Sequence, residues 1–297
     1  MVSTELKEAL AKGGQHLGDL VWWSLADARV ARSTLEALWA AQGLDETLLP
    51  EQPDREKALR QACREAGVGL KKDGHEIRAA YEGDDRIVFE MVSFAWDDQA
   101  GETIFQQEST LTLDKRNSVA PPLLGGQDTP ITQLVQSKYL ELLTTHPTGD
   151  VGKLLVRTLG SIKAFGLRPT GGVYFAPAQS AQTTRSLRSV VGQLGQSCME
   201  IVPVHESAEA TASLGNAAQK SLEKDLAELV VELQKFVQTP PRADTLERRL
   251  ETFKDLRARA DFYKSILSLQ VDGLEKGLGE MESIVTNMLS SQEDTTP

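Results

Sequence analysis

The feature that most constrains the fold is a long apolar repeat in the last third of the chain. Apolar residues recur every three or four positions over residues 222–236 and again over 246–288, and residues 239–244, which include two prolines, separate the two runs. This spacing places apolar side chains on one helical face, and prolines end helices. The sequence therefore predicts a C-terminal helical hairpin over 207–290, with a heptad rhythm in its second helix.

The second helix of this hairpin is predicted to outlast its partner. Running from residue 244 to about 289, it would be on the order of 65 Å long at about 1.5 Å per residue. We expect its uncovered apolar positions to bind the rest of the chain, a second copy or another protein. This association stripe is assigned to Leu267, Val271, Leu274, Leu278, Met281 and Val285. Residues 291–297 are predicted to be a disordered tail.

Earlier in the chain the apolar period changes to two, which is typical of strands. Alternation over 75–113, interrupted by turns at 82–85 and 97–101, predicts a three-stranded antiparallel meander. Asp97 and Asp98 are interpreted as turn residues rather than metal ligands. Residues 117–130, rich in proline and glycine, are predicted to form a linker or functional loop, followed by a helix at 131–143.

Helices and short strands flank the meander. The compact apolar run at 20–25 is interpreted as a strand or a buried turn rather than a long helix. Helices are predicted at 33–42 and after Pro53, and both could also belong to a winged-helix-like module. Helix signals at 151–165 and 180–194 alternate with strand signals at 172–176 and 199–204, which predicts a small α/β layer. The predicted fold class is α+β, divided into an N-terminal helical segment (1–70), an α/β body with the meander (71–206), the hairpin and the tail.

Composition excludes several classes of protein. The two cysteines, Cys63 and Cys198, have no metal or disulfide spacing, and the four histidines are scattered. The sequence contains no phosphate-binding loop, nucleophile elbow or zinc-protease motif, so we expect neither a cofactor nor a metal, and no catalytic residue is assigned. Without a signal peptide or a long apolar span, a cytoplasmic protein that does not enter a membrane is expected.

The charge distribution is uneven. The chain carries a formal charge of −11, yet residues 151–199 contain six cations and no acid. Such segregation can create a local anion site in an acidic protein, or a surface that pairs with the chain's own acidic helices. The candidate anion- or nucleic-acid-binding residues are Lys153, Arg157, Lys163, Arg168, Arg185 and Arg188, with Tyr174 as an aromatic that could stack on a base.

Several short patches carry a family resemblance. Residues 21–24, 29–30, 35–44 and 53–62, together with the run Arg-Pro-Thr-Gly-Gly-Val-Tyr-Phe-Ala-Pro at 168–177, are similar to uncharacterised bacterial and phage protein families of unknown function. This resemblance implies a prokaryotic or phage origin and brings no activity or site residues.

The sequence favours a non-enzymatic assembly or adaptor protein. In this interpretation the coiled-coil-like C-terminal helices mediate self-association or bind a protein partner, and the basic segment offers an anion-binding face. The first alternative is a nucleic-acid-binding protein. The second is an enzyme that acts on a phosphorylated substrate, with Arg157 and Arg168 as charge clamps, although the sequence offers it no nucleophile or base.

Overall fold

The chain forms two compact units with interleaved sequences. A computed structural model describes residues 14–26, 29–51, 53–117, 121–168, 172–238, 243–267 and 279. The first unit comprises residues 1–26, 39–48 and 152–297, and the second comprises 27–38 and 49–151. These limits differ from the predicted boundaries at 70 and 206, because a strand near the N-terminus pairs with strands from the second half of the chain.

The sheet of the first unit has four antiparallel strands. They are β1 (His16–Ser24), β8 (Phe165–Gly166), β9 (Tyr174–Pro177) and β10 (Cys198–His205), in the order β10-β1-β9-β8. In β1, Val21 lies opposite Ile201 of β10, and Leu20 lies opposite both Val202 of β10 and Phe175 of β9. The apolar run within the predicted N-terminal helical segment is therefore an interior strand, and the strands predicted at 172–176 and 199–204 are its neighbours.

Helices cover both faces of this sheet. Neighbouring side chains of a strand point to opposite faces: Asp19 faces the helix Ala181–Val191, whereas Leu20 packs in a cluster with the C-terminal helices. Gly18 makes the close packing of β1 possible, because a Cβ atom there would lie 2.2 Å from the carbonyl oxygen of Ala176. The α/β layer predicted from alternation is thus a three-layer arrangement around β1.

The C-terminal helices lie antiparallel. Helix Ala208–Gln238 and helix Ala243–Leu267 share a buried apolar seam that includes Leu229, Leu233 and Leu256. Arg259 donates to Asp225 at 2.8 Å, and Arg249 pairs with Glu232 at 3.0 Å. Gly279 is also helical, and the rest of the chain after Leu267, where the second helix was predicted to continue, lies outside the described residues.

The sheet of the second unit confirms the meander. Strands β3 (His75–Glu82), β4 (Arg86–Asp97) and β5 (Glu102–Asp114) are antiparallel neighbours, and β6 (Leu123–Gly126) is added beside β5. The strand β6 lies within the segment predicted to be a loop. Its glycines allow this pairing, because a Cβ atom on Gly126 would lie 2.6 Å from the carbonyl oxygen of Glu108.

Two helices pack on one face of this meander. Helix α2 (Arg55–Ala66) and helix α3 (Pro130–Thr144) bury residues such as Leu59 and Tyr139 against Ile87, Met91 and Leu111. Their N-termini are capped: Asp54 accepts from the Glu56 N–H, and Thr129 and Thr132 form a reciprocal capping box. The main helical partner of α2 is α3, not the preceding helix as the winged-helix-like alternative requires.

The remaining elements complete the chain order. Helix α1 (Arg32–Ala41) follows β2 (Val30–Ala31), which pairs with β7 (Thr145–His146). Helix α4 (Thr148–Ser161) precedes β8, and the helices at Ala181–Val191, Ala208–Gln238 and Ala243–Leu267 are α5, α6 and α7. The helices expected at 33–42, after Pro53 and at 131–143 are therefore confirmed within one or two residues at each end.

Candidate functional site

The six predicted anion-binding cations lie on two helices and two loops of the first unit. Lys153 and Arg157 lie on α4, Arg185 and Arg188 on α5, and Arg168 follows β8. All five of these cations are exposed. The basic segment therefore presents several positive charges to solvent, and these charges come from separate elements rather than from one helical face.

Lys163 contacts α7, the second of the C-terminal helices. Its ammonium group lies 4.9 Å from the centroid of the Phe262 ring, and its carbonyl oxygen accepts from the Tyr263 hydroxyl at 2.9 Å. The backbone at Lys163 has a φ of 59°, a conformation that is uncommon for a residue with a side chain. The ring of Tyr263 also packs edge-on against Phe165 of β8. These contacts hold α7 on the sheet.

Arg185 is directed to a buried carboxylate that the sequence analysis did not identify. Asp19 of β1 is fully buried and accepts from His16 Nε2 at 3.0 Å, Thr184 Oγ1 at 3.3 Å and Arg185 Nη1 at 3.4 Å. The three partners come from β1 and α5, about 165 residues apart in sequence. The one signal available in the sequence was an acid within the apolar run that forms β1.

This polar network is structural in character. His16 beside Asp19 resembles a catalytic base that is oriented by a carboxylate. The hydroxyl of this network, on Thr184, is however fully buried and already hydrogen-bonded. Cys198 lies opposite Ser24, at the other end of β1. The other cysteine, Cys63, belongs to the second unit, and burial raises the pKa of its thiol to about 12, which keeps it neutral.

Tyr174 is engaged with a neighbouring aromatic ring. It stacks on Trp23 with ring centroids 5.3 Å apart and an interplanar angle of 12°. Both rings are half-buried, so the pair presents only part of its surface to solvent. A base could stack only on the exposed remainder of this pair.

The association stripe is described at one position. Leu267 is buried in the cluster formed by the sheet, α6 and α7. The other stripe residues, Val271, Leu274, Leu278, Met281 and Val285, lie outside the described residues. The structure thus assigns Leu267 to the interior of the first unit, and the association role of the stripe stays a prediction.

The second unit exposes an apolar surface that the sequence analysis did not single out. At the β4–β5 turn, Trp96 and Phe105 share one face of the hairpin and are 63% and 50% exposed, and Ile104 on the opposite face is 50% exposed. Asp97 accepts from the N–H groups of Gln99 and Ala100, which confirms its predicted role in the turn. Gly101 closes this turn with a φ of 68°. Large exposed apolar side chains close together are typical of interaction surfaces.

No metal site accompanies these surfaces. Within the described parts of the chain, histidine, cysteine and acidic side chains do not come together in groups of three or more that could hold a metal ion.

Comparison with known proteins assigns the chain to a family. The sequence model of DUF6744, a family of unknown function, matches residues 16–294. The chain belongs to this family. The DUF6744 match begins at the first residue of β1 and extends past the predicted stripe, so it includes both units and the C-terminal helices. No curated protein and no solved structure matches the chain.

Membership of DUF6744 confirms the resemblance to uncharacterised families, and it names no activity, ligand or partner. Of the helices in the described residues, none has both the length and the apolar character that crossing a membrane requires.

Proposed function

We propose that this DUF6744 protein is an assembly or adaptor protein whose C-terminal helices bind another protein chain, in the first instance a second copy. The observation that carries the proposal is the way in which α6 and α7 are built. They form a hairpin with a continuous apolar seam, attached to the sheet through Phe165, Phe262 and Tyr263. A hairpin fixed at one end is a suitable support for an interaction surface.

The pairing of the two helices supports this reading. If the second helix continues past Leu267, as the sequence predicts, extending the pairing of Asp225 with Arg259 and of Glu232 with Arg249 would bring Ala208, the first residue of α6, level with about residue 275. The predicted stripe positions Met281 and Val285 come after this level. If the heptad segment is helical, as the sequence predicts, α6 has no residues to cover them.

The mass of the protein in solution tests the proposal. Leu278→Glu places a carboxylate within the predicted stripe, and Asn287→Glu adds the same charge outside it. We expect sedimentation equilibrium to show an oligomer for the natural chain and for Asn287→Glu, and a lower average mass for Leu278→Glu. A monomeric natural chain, or equal masses for the two variants, would contradict self-association through the stripe.

Nucleic-acid binding is a second candidate, supported by the exposed cations Arg157, Arg168 and Arg188 of the first unit, which also carries the stacked pair Trp23 and Tyr174. Phosphate contacts weaken steeply with salt, so we would measure fluorescence anisotropy with labelled DNA and RNA at about 50 and 200 mM salt. Replacing Arg157 and Arg188 with glutamine should remove such binding. Replacing Lys220 and Lys254, two exposed cations of the hairpin, should leave it unchanged. No binding at the lower salt concentration would exclude this function.

A further inference from the structure

The β4–β5 hairpin extends beyond the strands on either side of it. The last residue pair of the β3–β4 ladder is His75–Ser93, followed by one hydrogen bond from the Phe94 N–H to the Gly74 carbonyl. The β5–β6 ladder ends at Ser109, with one further hydrogen bond from the Gln127 N–H to the Glu108 carbonyl. We call residues 94–97 and 102–107, together with their turn, the distal arm. Within the described part of the chain, its β5 strand is paired on one side only, with β4.

The free edge of the distal arm lacks the usual protection against pairing with another strand. Proteins protect exposed edges with charges, prolines, bulges or very short strands. The one irregularity in the β4–β5 ladder leaves Glu108 unpaired, just beyond the distal arm. Among the described residues, the other outer edges follow that rule of protection, and the paired strands β2 and β7 have only two residues each. Strand β10 contains Pro203, β3 carries Glu76, Arg78 and Glu82, and β6 and β8 have four and two residues. Residues 103–107 of β5, in contrast, are uncharged, exposed and free of proline.

We propose that the distal arm pairs with the distal arm of a second copy, β5 against β5 and antiparallel, with the two-fold axis at Ile104. Residues that lie opposite each other in an antiparallel pair point to the same face of the sheet. A symmetric pair must therefore be centred on a residue rather than between two residues. This condition reduces the choice to a few registers.

Charge and space select among these registers. Centring on Ile104 places Glu102 opposite Gln106 and Thr103 opposite Phe105, so no like charges meet. Centring on Phe105 places Glu102 opposite Glu108, and like charges directly opposite each other are unfavourable. Centring on Gln106 would run the partner strand towards Ser109, the position at which β6 is already paired. The pair centred on Ile104 also brings the exposed side chains of Ile104 and Phe105 against the partner strand.

Disulfide trapping tests both the partner and the register. In full-length protein carrying Cys198→Ser, Ile104→Cys would place two thiols across the axis, with Cα atoms about 4.5–5.5 Å apart, within disulfide range. Thr103→Cys is the matched control, because its two copies would be about 8 Å apart, too far for a disulfide. We expect mild oxidation to form the covalent dimer about tenfold faster for Ile104→Cys. Equal rates, or no dimer, would overturn the proposal.

A second pair of variants keeps the test independent of the cysteines. Ile104→Lys adds a charge at the proposed axis, whereas Ala79→Lys adds one on the exposed edge strand β3 of the same sheet. In protein that also carries Leu278→Glu, so that the helical contact is weakened, we expect about a tenfold weaker dimer for Ile104→Lys in sedimentation velocity, and no change for Ala79→Lys. Equal effects of the two lysines would count against pairing at the arm.

The arm contact is separate from the helical association proposed above. Trapping of Ile104→Cys should therefore persist when Leu278→Glu is also present. Loss of trapping in that background would show that the arms meet only through the helices, and would overturn the arm as an interface of its own. The effect of Leu278→Glu alone still decides the helical proposal, so the failure of either can be recognised.

Discussion

Asp19 shows how one side chain links distant parts of the sequence. It is fully buried, and its two oxygens accept from a histidine of its own strand and from two side chains of α5. A buried carboxylate without such donors would be strongly unfavourable. Here the donors join β1 to α5, so the network specifies which face of β1 meets that helix.

We predict that Asp19→Ala lowers the free energy of unfolding by about 2–4 kcal/mol, because Thr184 loses a buried partner and Arg185 loses its counter-charge. Urea unfolding measured by circular dichroism tests this. The control is Asp98→Ala, which removes an exposed acid from a turn and should change the free energy by less than about 0.5 kcal/mol. A similarly small effect at Asp19 would show that the network contributes little.

His146 gives the second unit a pH dependence. It is buried in β7, and its Nδ1 atom has no hydrogen-bond partner among the described residues. Burial and the nearby Arg32 lower its pKa below the usual value of 6.5, while Asp150 and Glu36 act in the opposite direction. The folded state therefore favours the neutral imidazole, and the unfolded chain takes up a proton first as the pH falls.

The stability contributed by neutral His146 is present above about pH 6.5 and decreases as the pH falls below that value. Unfolding free energies measured by urea titration between pH 7.5 and about 5 should decline, and His146→Gln should decline less steeply. His205→Gln changes an exposed histidine and is the control. Parallel curves for the natural chain and for His146→Gln would rule out this source of pH dependence.

At the scale of elements, the apolar periods predicted the main helices and strands, but they did not predict where strand pairing begins and ends. The meander, α2, α3 and the hairpin follow from periods of two and 3.6 residues, since each such pattern defines a buried face within one element. β6 was missed because its glycine-rich sequence resembles a loop. The distal arm was missed because its exposure depends on where the neighbouring strands stop, which no local pattern records.

The seam of the hairpin should carry much of its stability. Leu256 is 1% exposed between α6 and α7, and its replacement by alanine should cost about 2–5 kcal/mol through lost burial and a cavity. Lys254→Ala, on the exposed side of the same helix, should change little. Thermal unfolding followed by circular dichroism compares the two. Equal melting temperatures would mean that the helices do not depend on this seam.

At the scale of the whole molecule, the sequence indicated elements and fold class but not the order in which they combine. The first unit takes β1 from the beginning of the chain and β9 and β10 from beyond residue 170, with most of the second unit inserted between them. Pairing between remote strands leaves no trace in local composition. The basic segment could be recognised because charge can be counted along the sequence. The partners of Arg185 and Lys163 could not be predicted, because they are remote in the sequence.

The inserted position of the second unit predicts that it can fold without the rest of the chain. A fragment of residues 27–151 contains all of its residues, including the apolar cluster of α2, α3 and the meander. We expect this fragment to give a cooperative thermal transition and dispersed amide signals in nuclear magnetic resonance. A fragment with neither property would show that the second unit depends on the first.

The pairing of β1 with β9 and β10 also has a consequence for synthesis on the ribosome. About 150 residues separate the end of β1 from β9. At about 5–20 residues per second, β1 emerges roughly 8–30 s before its first partner strand. During that interval the second unit can be completed, while the apolar run around Val21, Trp22 and Trp23 has no sheet to join. The nascent chain therefore passes through a stage at which a chaperone that binds apolar segments would find its target at the N-terminal end.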